Sequence, residues 1–146
     1  MTSEFAIAVH ALVYLNHKHE TLSSEALADN VCTNSARIRK VMAKLKKYGL
    51  IETKEGLNGG YHTTGETEHI TLGQICAAME AEPVTVSWHS GDPDKTCQVC
   101  SGMAGVMDEI YGQLNELCRK YLEGITIRDI DGRIFNTGNT ENSGNF

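Results

Sequence analysis

The residues of this sequence that are best placed to do chemistry are two cysteines, Cys97 and Cys100, separated by two positions. A pair with this spacing can act as a reactive thiol and its resolving partner, can form half of a zinc site with His89, or can be incidental. Cys100 comes just before the apolar pattern of a long predicted helix, and the amides at a helix N-terminus stabilise a thiolate. We therefore predict a sensor made of Cys97 and Cys100, with Cys100 as the more reactive thiol.

The second chemical feature is a basic stretch between Arg37 and Lys54. It contains seven lysine and arginine residues and one acidic residue, Glu52, and so carries a net charge of +6. The other residues carry 6 basic and 18 acidic side chains, a net charge of −12. A local basic surface on an acidic body is typical of a protein that binds phosphates with one face. The alternative interpretation of the same charges is a solvated helix face.

Three predicted helices position this basic stretch. An apolar helix over Glu4–His17 is followed by a short helix capped by Ser23 or Ser24. The third helix begins between Thr33 and Ser35 and carries most of the basic residues. Its apolar residues recur at helical spacing and turn the basic residues outward; they are Ile38, Val41, Met42 and Leu45.

A predicted β-hairpin follows once Gly49 ends the third helix, with strands at Leu50–Lys54 and Tyr61–Thr64. Three helices and a hairpin in this order are the layout of a winged helix-turn-helix, so the predicted fold class is mainly α with a small β-hairpin wing. In such a fold the third helix enters the major groove and the wing contacts the minor groove or phosphates. The predicted DNA-binding residues are Asn34, Ser35, Arg37, Arg39, Lys40, Lys44, Lys54, Asn58, Gly59 and Tyr61.

The second half of the chain contains a helix over Thr71–Glu80, a loop over Glu82–Gly102 and a long helix. Apolar residues of the long helix alternate steps of four and three, and such a seam pairs naturally with its twofold copy. The seam residues are Met103, Met107, Ile110, Leu114, Leu117 and Tyr121. The predicted domains are a DNA-binding domain at 1–81, a sensor loop at 82–102, a dimerisation helix with its following segment at 103–135, and a disordered tail at 136–146.

A resemblance to a known family is carried by four motifs: KLKKYGLIE, the wing sequence GLNGGY, the helix start ITLGQI, and the GIT that ends the long helix. On these motifs the sequence resembles the Rrf-type bacterial transcription regulators, which include the iron-sulfur cluster regulator and the cysteine-metabolism and nitric-oxide-responsive repressors. The resemblance implies a homodimeric winged-helix repressor or activator with a cysteine-bearing sensor loop before the dimerisation helix. Two departures stand out. Glu55 replaces an arginine that many members insert into the minor groove, and cluster-binding members carry three closely spaced cysteines, whereas here the next one is Cys118.

The sequence therefore predicts a transcriptional regulator, a repressor in the first instance, that binds a pseudo-palindromic double-stranded DNA operator as a homodimer. Thiol modification in the Cys97 to Cys100 loop, by an oxidant or an electrophile such as a quinone, is the expected switch. No cofactor is predicted; an iron-sulfur cluster or zinc at this loop is the alternative, which would make the protein metal-dependent. Thiol oxidoreductase activity ranks third, because a redox C-x-x-C favours a βαβ context. No stretch is long and apolar enough for a membrane span, and a cytoplasmic location is expected.

Overall fold

The computed structural model describes residues 1–136, and these form a mainly helical fold with one two-stranded antiparallel sheet. The helices are α1 (Ser3–Lys18), α2 (Ser24–Val31), α3 (Ser35–Lys47), α4 (Leu72–Ala78), α5 (Gln98–Glu123) and α6 (Ile127–Asn136). The strands are β1 (Ile51–Lys54) and β2 (Gly60–Thr63), and a single 3₁₀ turn lies at Thr67–His69. The predicted fold class, a winged helix with a small hairpin, is confirmed.

Local hydrogen bonds explain where the helices begin and end. The Ser23 hydroxyl accepts a bond from the Ala26 amide at 3.1 Å and caps α2. Thr71 and Gln74 form the predicted capping box of α4, each side chain accepting from the other residue's backbone amide. Gly49 has φ +80° directly after the last turn of α3, a conformation in which a side chain would be strained.

The hydrophobic core is built around α1, which is apolar on nearly every side. Leu12 and Leu15 of α1 are fully buried and lie in one cluster with Leu27 of α2, Ile38 of α3 and Ile75 of α4. Burial of such side chains is the main source of stability, at about 25 cal/mol per Å² of apolar surface. The α3 helix is therefore held with its apolar face inward.

The segment that follows the long helix, up to Asn136, returns to this core, which the predicted boundary at residue 103 did not anticipate. Ile127 at the start of α6 is fully buried, and its amide donates to the Ile70 carbonyl at 2.9 Å. The Leu72 amide donates to the Ile125 carbonyl at 2.8 Å. The α6 helix then packs along α1. The segment after the long helix is thus part of the winged-helix body rather than an extension of the long helix.

The long helix α5 begins at Gln98, five residues before the predicted start. Residues 98–102 of the predicted sensor loop are therefore helical. Asn136 is the last residue of α6, and the rest of the predicted disordered tail, 137–146, lies outside the described residues. Among residues 1–136, no helix is long and apolar enough to cross a membrane.

Candidate nucleic-acid interface and cysteine loop

The α3 helix presents a basic face on the side opposite the core. Ile38, Val41 and Leu45 are buried. Because an α-helix has 3.6 residues per turn, Arg39 and Lys40 lie on the other side of α3 and point to solvent. Arg37, Arg39 and Lys40 are exposed, as predicted. Guanidinium and ammonium groups on an exposed helix can bind phosphates and guanine edges in a major groove.

The N-terminal turn of α1 covers one flank of this basic face. The Glu4 carboxylate pairs with the Lys44 ammonium at 2.6 Å and with the Lys40 ammonium at 3.0 Å. The Arg37 guanidinium donates to the Ser3 hydroxyl at 2.7 Å. The pKa of Glu4 is lowered, first by the bond from Lys44 and then by the bond from Lys40. Lys44 therefore departs from the predicted outward orientation: it is half-buried against α1, with 34% of its side chain exposed.

Two of the predicted contact residues at the start of α3 also have structural partners. The Asn34 side chain accepts from the Arg37 amide at 2.9 Å and caps the helix. Arg39 lies toward α2, 3.8 Å from the Glu25 carboxylate and 3.4 Å from the Ser24 hydroxyl. Both partners of Arg39 are at the solvent-exposed surface, where such pairs are weak and can be exchanged for a phosphate. Ser35, the first residue of α3, is half-buried.

The wing is a tight hairpin whose turn requires glycine. A Cβ on Gly59 would collide with the Lys54 carbonyl oxygen, and the Gly59 amide donates to the Gly56 carbonyl at 2.9 Å. Asn58 at the tip has φ +64°, and both Asn58 and Lys54 are exposed. The tip can therefore approach a nucleic-acid backbone closely.

Tyr61 anchors the wing instead of extending from it. Its amide donates to the Leu22 carbonyl at 2.8 Å, and its carbonyl accepts from the Leu22 amide at 2.9 Å. The half-buried ring packs against the core, and burial raises the pKa of its hydroxyl. The structure thus gives this predicted DNA-binding residue a structural position between the wing and the segment before α2.

In the cysteine loop, Cys97 rather than Cys100 occupies the N-cap of α5. The pKa of the exposed Cys97 thiol is lowered, because the backbone amides of Cys100 and Val99 in the first turn of α5 favour its thiolate. Cys100 is the third residue inside the helix and is half-buried. The helix N-terminus that the sequence predicts near Cys100 therefore lies at Cys97, because α5 starts earlier than its apolar pattern.

Polar contacts hold the loop over 82–97 against α5. The side chain of Asn115, which is buried, accepts from the Val84 amide at 2.7 Å and donates to the Val84 carbonyl at 3.0 Å. His89 bonds Asp108 at 2.9 Å. The Asp92 amide donates to the Cys100 carbonyl at 3.0 Å. The loop is thus tied to α5 at its start, middle and end.

The cysteine set does not form a metal site within one chain. Among the described residues, no group of three or more histidine, cysteine, aspartate or glutamate side chains could hold a metal ion. His89, the predicted partner in a zinc half-site, is engaged by Asp108. Cys118 lies on α5, roughly five turns beyond Cys100, and Cys76 is buried with its thiol donating to the Ala81 carbonyl. The residues therefore do not fit an iron-sulfur cluster or structural zinc in a single chain.

Five of the six residues of the predicted seam of α5 are exposed, and the sixth, Met107, is half-buried. Only Asn115 and Leu122 of this helix are buried, and both lie in its C-terminal half. The exposed large apolar side chains of α5 are Val99, Met103, Val106, Ile110, Leu114, Leu117 and Tyr121. Seven exposed large apolar side chains along one helix indicate a protein-protein interface.

The sequence did not predict the roles of three residues. Ser3 and Glu4 hold basic side chains of α3, and Asn115 holds the loop over 82–97 against α5. Ser3 and Glu4 reach basic residues more than 30 positions away, and no local pattern reports such a contact. Asn115 had a weak signal, since it is a polar residue next to the seam residue Leu114.

A winged helix with an exposed basic third helix and a wing tip open to a phosphate backbone defines a class, that of the winged-helix DNA-binding transcription regulators. The chain belongs to the Rrf2 family, described as iron-dependent transcriptional regulators, whose profile matches residues 1–131. The resemblance found in the motifs is confirmed.

Individual relatives agree with this assignment. The chain is 28% identical over 134 residues to the HTH-type transcriptional regulator NsrR of Shouchella clausii, covering 89% of this chain and 87% of that protein. Its fold is similar to that of a Lactobacillus plantarum transcriptional-regulator structure, with TM-score 0.79, 23% identity, and coverage of 98% and 97%. It is also similar to CymR, the global cysteine regulator of B. subtilis, with TM-score 0.66, 19% identity, and coverage of 91% and 96%.

Proposed function

We propose that this protein is a homodimeric regulator that binds a pseudo-palindromic DNA operator and releases it when the Cys97 thiol is modified. The observation that carries the proposal is the position of Cys97: it is the N-cap residue of α5, the helix that carries the exposed apolar seam. A change at this thiol therefore occurs at the end of the element that sets the distance between the two recognition helices. The site of action is the cytoplasm, where the operator DNA is.

The DNA contacts come from α3 and the wing. Arg37, Arg39 and Lys40 enter the major groove, while Lys54 and the Asn58–Gly59 tip contact the backbone or the minor groove. Pairing of two α5 helices places the two copies of α3 about a twofold axis, which a pseudo-palindrome matches. Glu55 in place of an arginine leaves the wing with one positive charge, Lys54, next to the turn.

The chemistry needs one exposed thiolate with a second thiol nearby. The Cys97 thiolate adds to a ring carbon of a quinone to give a thioether, and proton transfer then yields the substituted hydroquinone. With a hydroperoxide, the thiolate takes one oxygen to become a sulfenic acid and an alcohol leaves; the Cys100 thiol then displaces water to form the Cys97–Cys100 disulfide. The positions of Cys97 and Cys100 at the start of α5 favour this disulfide, because residues three positions apart lie on the same face of a helix.

A chain of contacts connects this thiol to the recognition helix. The loop that Cys97 ends is tied to α5 through Val84, and the neighbouring Pro83 carbonyl accepts from the Met1 ammonium at 3.3 Å. Two residues further on, Ser3 and Glu4 hold α3. A displaced loop can therefore move the α1 terminus and the α3 side chains together. DNA release follows if the modified form has the weaker affinity for DNA.

The test is competitive alkylation followed by mass spectrometry, combined with DNA-binding titrations of the wild type, Cys97→Ser and Cys100→Ser. We expect Cys97 to label first and oxidant-induced release to be lost in Cys97→Ser. The matched control is Cys32→Ser, which removes another exposed thiol. Equal labelling of all five cysteines, or release that persists in both loop variants, would contradict the thiol switch. Metal found in anaerobically purified protein would instead favour a metal-dependent regulator whose site is completed between two chains.

A further inference from the structure

The basic face of α3 is partly neutralised by its own chain. Glu4 is the only acidic residue in the first turn of α1, and its carboxylate bridges two lysines of the recognition helix at 2.6 and 3.0 Å. Its side chain is 20% exposed, whereas that of Lys40 is 68% exposed. The carboxylate therefore lies beneath the exposed ammonium, on the side where α3 meets α1.

The surroundings of this carboxylate suit an anion. Ser3, Glu4, Arg37, Lys40 and Val41 line a cleft of about 260 Å³. The cleft lies at the N-terminus of the 16-residue helix α1, whose dipole also favours negative charge. Hydroxyl, guanidinium and ammonium donors around a helix start are the groups that contact DNA phosphates. Glu4 thus holds the donors that a phosphate of bound DNA would use.

We infer that Glu4 is a built-in competitor of DNA phosphate, which limits the affinity of the recognition helix for duplex DNA of any sequence. This rests on the proposed DNA-binding function. When DNA approaches, Lys40 and Lys44 must exchange the carboxylate for a phosphate, and the carboxylate stays near the phosphate and repels it. Binding then releases fewer counterions than the number of basic residues on α3 would allow. Base contacts, which a matching sequence alone provides, have to offset this cost.

The experiment measures binding of a random-sequence 30-base-pair duplex as a function of salt, using fluorescence anisotropy and the full chain. We expect Glu4→Gln to bind at least about 3-fold more tightly at 0.1 M salt and to steepen the slope of log K against log salt by about 1, as one further neutralised phosphate requires. Glutamine keeps the shape of the side chain, and circular dichroism verifies the fold.

Two matched variants separate competition from other effects. Glu116→Gln removes one negative charge from α5, where Glu116 pairs with Arg119, and is expected to leave the slope unchanged. In a Lys40→Ala, Lys44→Ala background, Glu4→Gln is expected not to steepen the slope, because no lysine remains to exchange the carboxylate for a phosphate.

The outcomes distinguish this inference from the proposed function. If the wild type binds DNA but Glu4→Gln binds equally or more weakly with the same slope, Glu4 only positions the lysines and the inference is wrong. An equal gain in DNA affinity from Glu116→Gln would show that the effect depends on net charge alone, which would also contradict the inference. If neither the wild type nor Glu4→Gln binds duplex DNA even at low salt, the proposed function fails together with the inference.

Discussion

Two helices of this protein, α3 and α5, are both amphipathic, but they satisfy their apolar faces differently. Ile38, Val41 and Leu45 of α3 are buried within the chain, whereas α5 leaves most of its large apolar side chains exposed. A helix of the first kind folds with its own domain, and its exposed polar face is free to act. A helix of the second kind is completed by a partner, so its stability and position depend on assembly. The recognition helix is therefore positioned within one chain, whereas in the proposed dimer the distance between the two recognition helices depends on both chains.

The largest expected effect is on the exposed seam. Leu114→Asp would place a charge in the dimer interface, and two such charges in one interface have no partner. We expect a dimer to become a monomer at micromolar concentration while the helical content of the winged-helix body is retained. Sedimentation equilibrium measures this. Gly112→Asp is the matched control, since a Cβ at Gly112 meets no atom of its own chain within 4 Å and the position lies off the seam. A Leu114→Asp variant that stays dimeric would show that the seam is not the interface.

The second effect concerns the buried face of α3. Leu45→Ala removes a fully buried side chain and should lower the free energy of unfolding by about 2–5 kcal/mol. Lys47→Ala on the exposed side of the same helix should change it by less than about 0.5 kcal/mol. Urea denaturation at fixed protein concentration compares the two. Equal effects would mean that α3, like α5, depends on contacts outside its own chain.

A smaller effect is expected at Asn115, which holds the loop over 82–97 against α5. Asn115→Ala leaves the amide and carbonyl of Val84 without their partner, which should cost about 1–3 kcal/mol locally. We expect faster hydrogen exchange over residues 84–92 with little change in α3. Gln113→Ala, an exposed neighbour on α5, serves as the control. Unchanged hydrogen exchange in the loop would show that the contacts of His89 with Asp108 and of Asp92 with Cys100 hold the loop without Asn115.

The smallest expected effect is on the pH dependence of stability, through the ion pairs that Glu4 of α1 makes with Lys40 and Lys44 of α3. The folded-state pKa of Glu4 lies below its ordinary value of 4.5, so its ion pairs stabilise the fold above that pH and the contribution is lost as the pH falls through the folded pKa. Thermal unfolding at pH 7 and pH 3 should therefore show a smaller acid-induced loss for Glu4→Gln than for the wild type. An identical loss would mean that the two pairs contribute nothing measurable to stability.

The comparison of α3 with α5 also explains what the sequence could reveal. Periodic apolar residues and caps are local signals, and they predicted α3, the hairpin turn and the capping box at Thr71 and Gln74. Residues 98–102 carry little apolar pattern, so the sequence predicts a helix from Met103 and a reactive thiol at Cys100, whereas α5 begins at Gln98 with Cys97 as its N-cap. Contacts such as Glu4 with Lys44 or Tyr61 with Leu22 join distant positions, and no spacing rule reports them.

Selection of bound sequences from a random-duplex library by the purified, reduced protein tests most directly whether it reads an operator through α3. We expect enrichment of an inverted repeat whose half-site centres lie about one helical turn apart, roughly 34 Å, or a multiple of that distance. The enrichment should disappear in the variant with Arg37, Arg39 and Lys40 replaced by alanine, and in wild-type protein treated with a quinone. Recovery of no shared sequence, or of the same sequence by the triple variant, would contradict a dimeric DNA-binding regulator that reads its operator through α3.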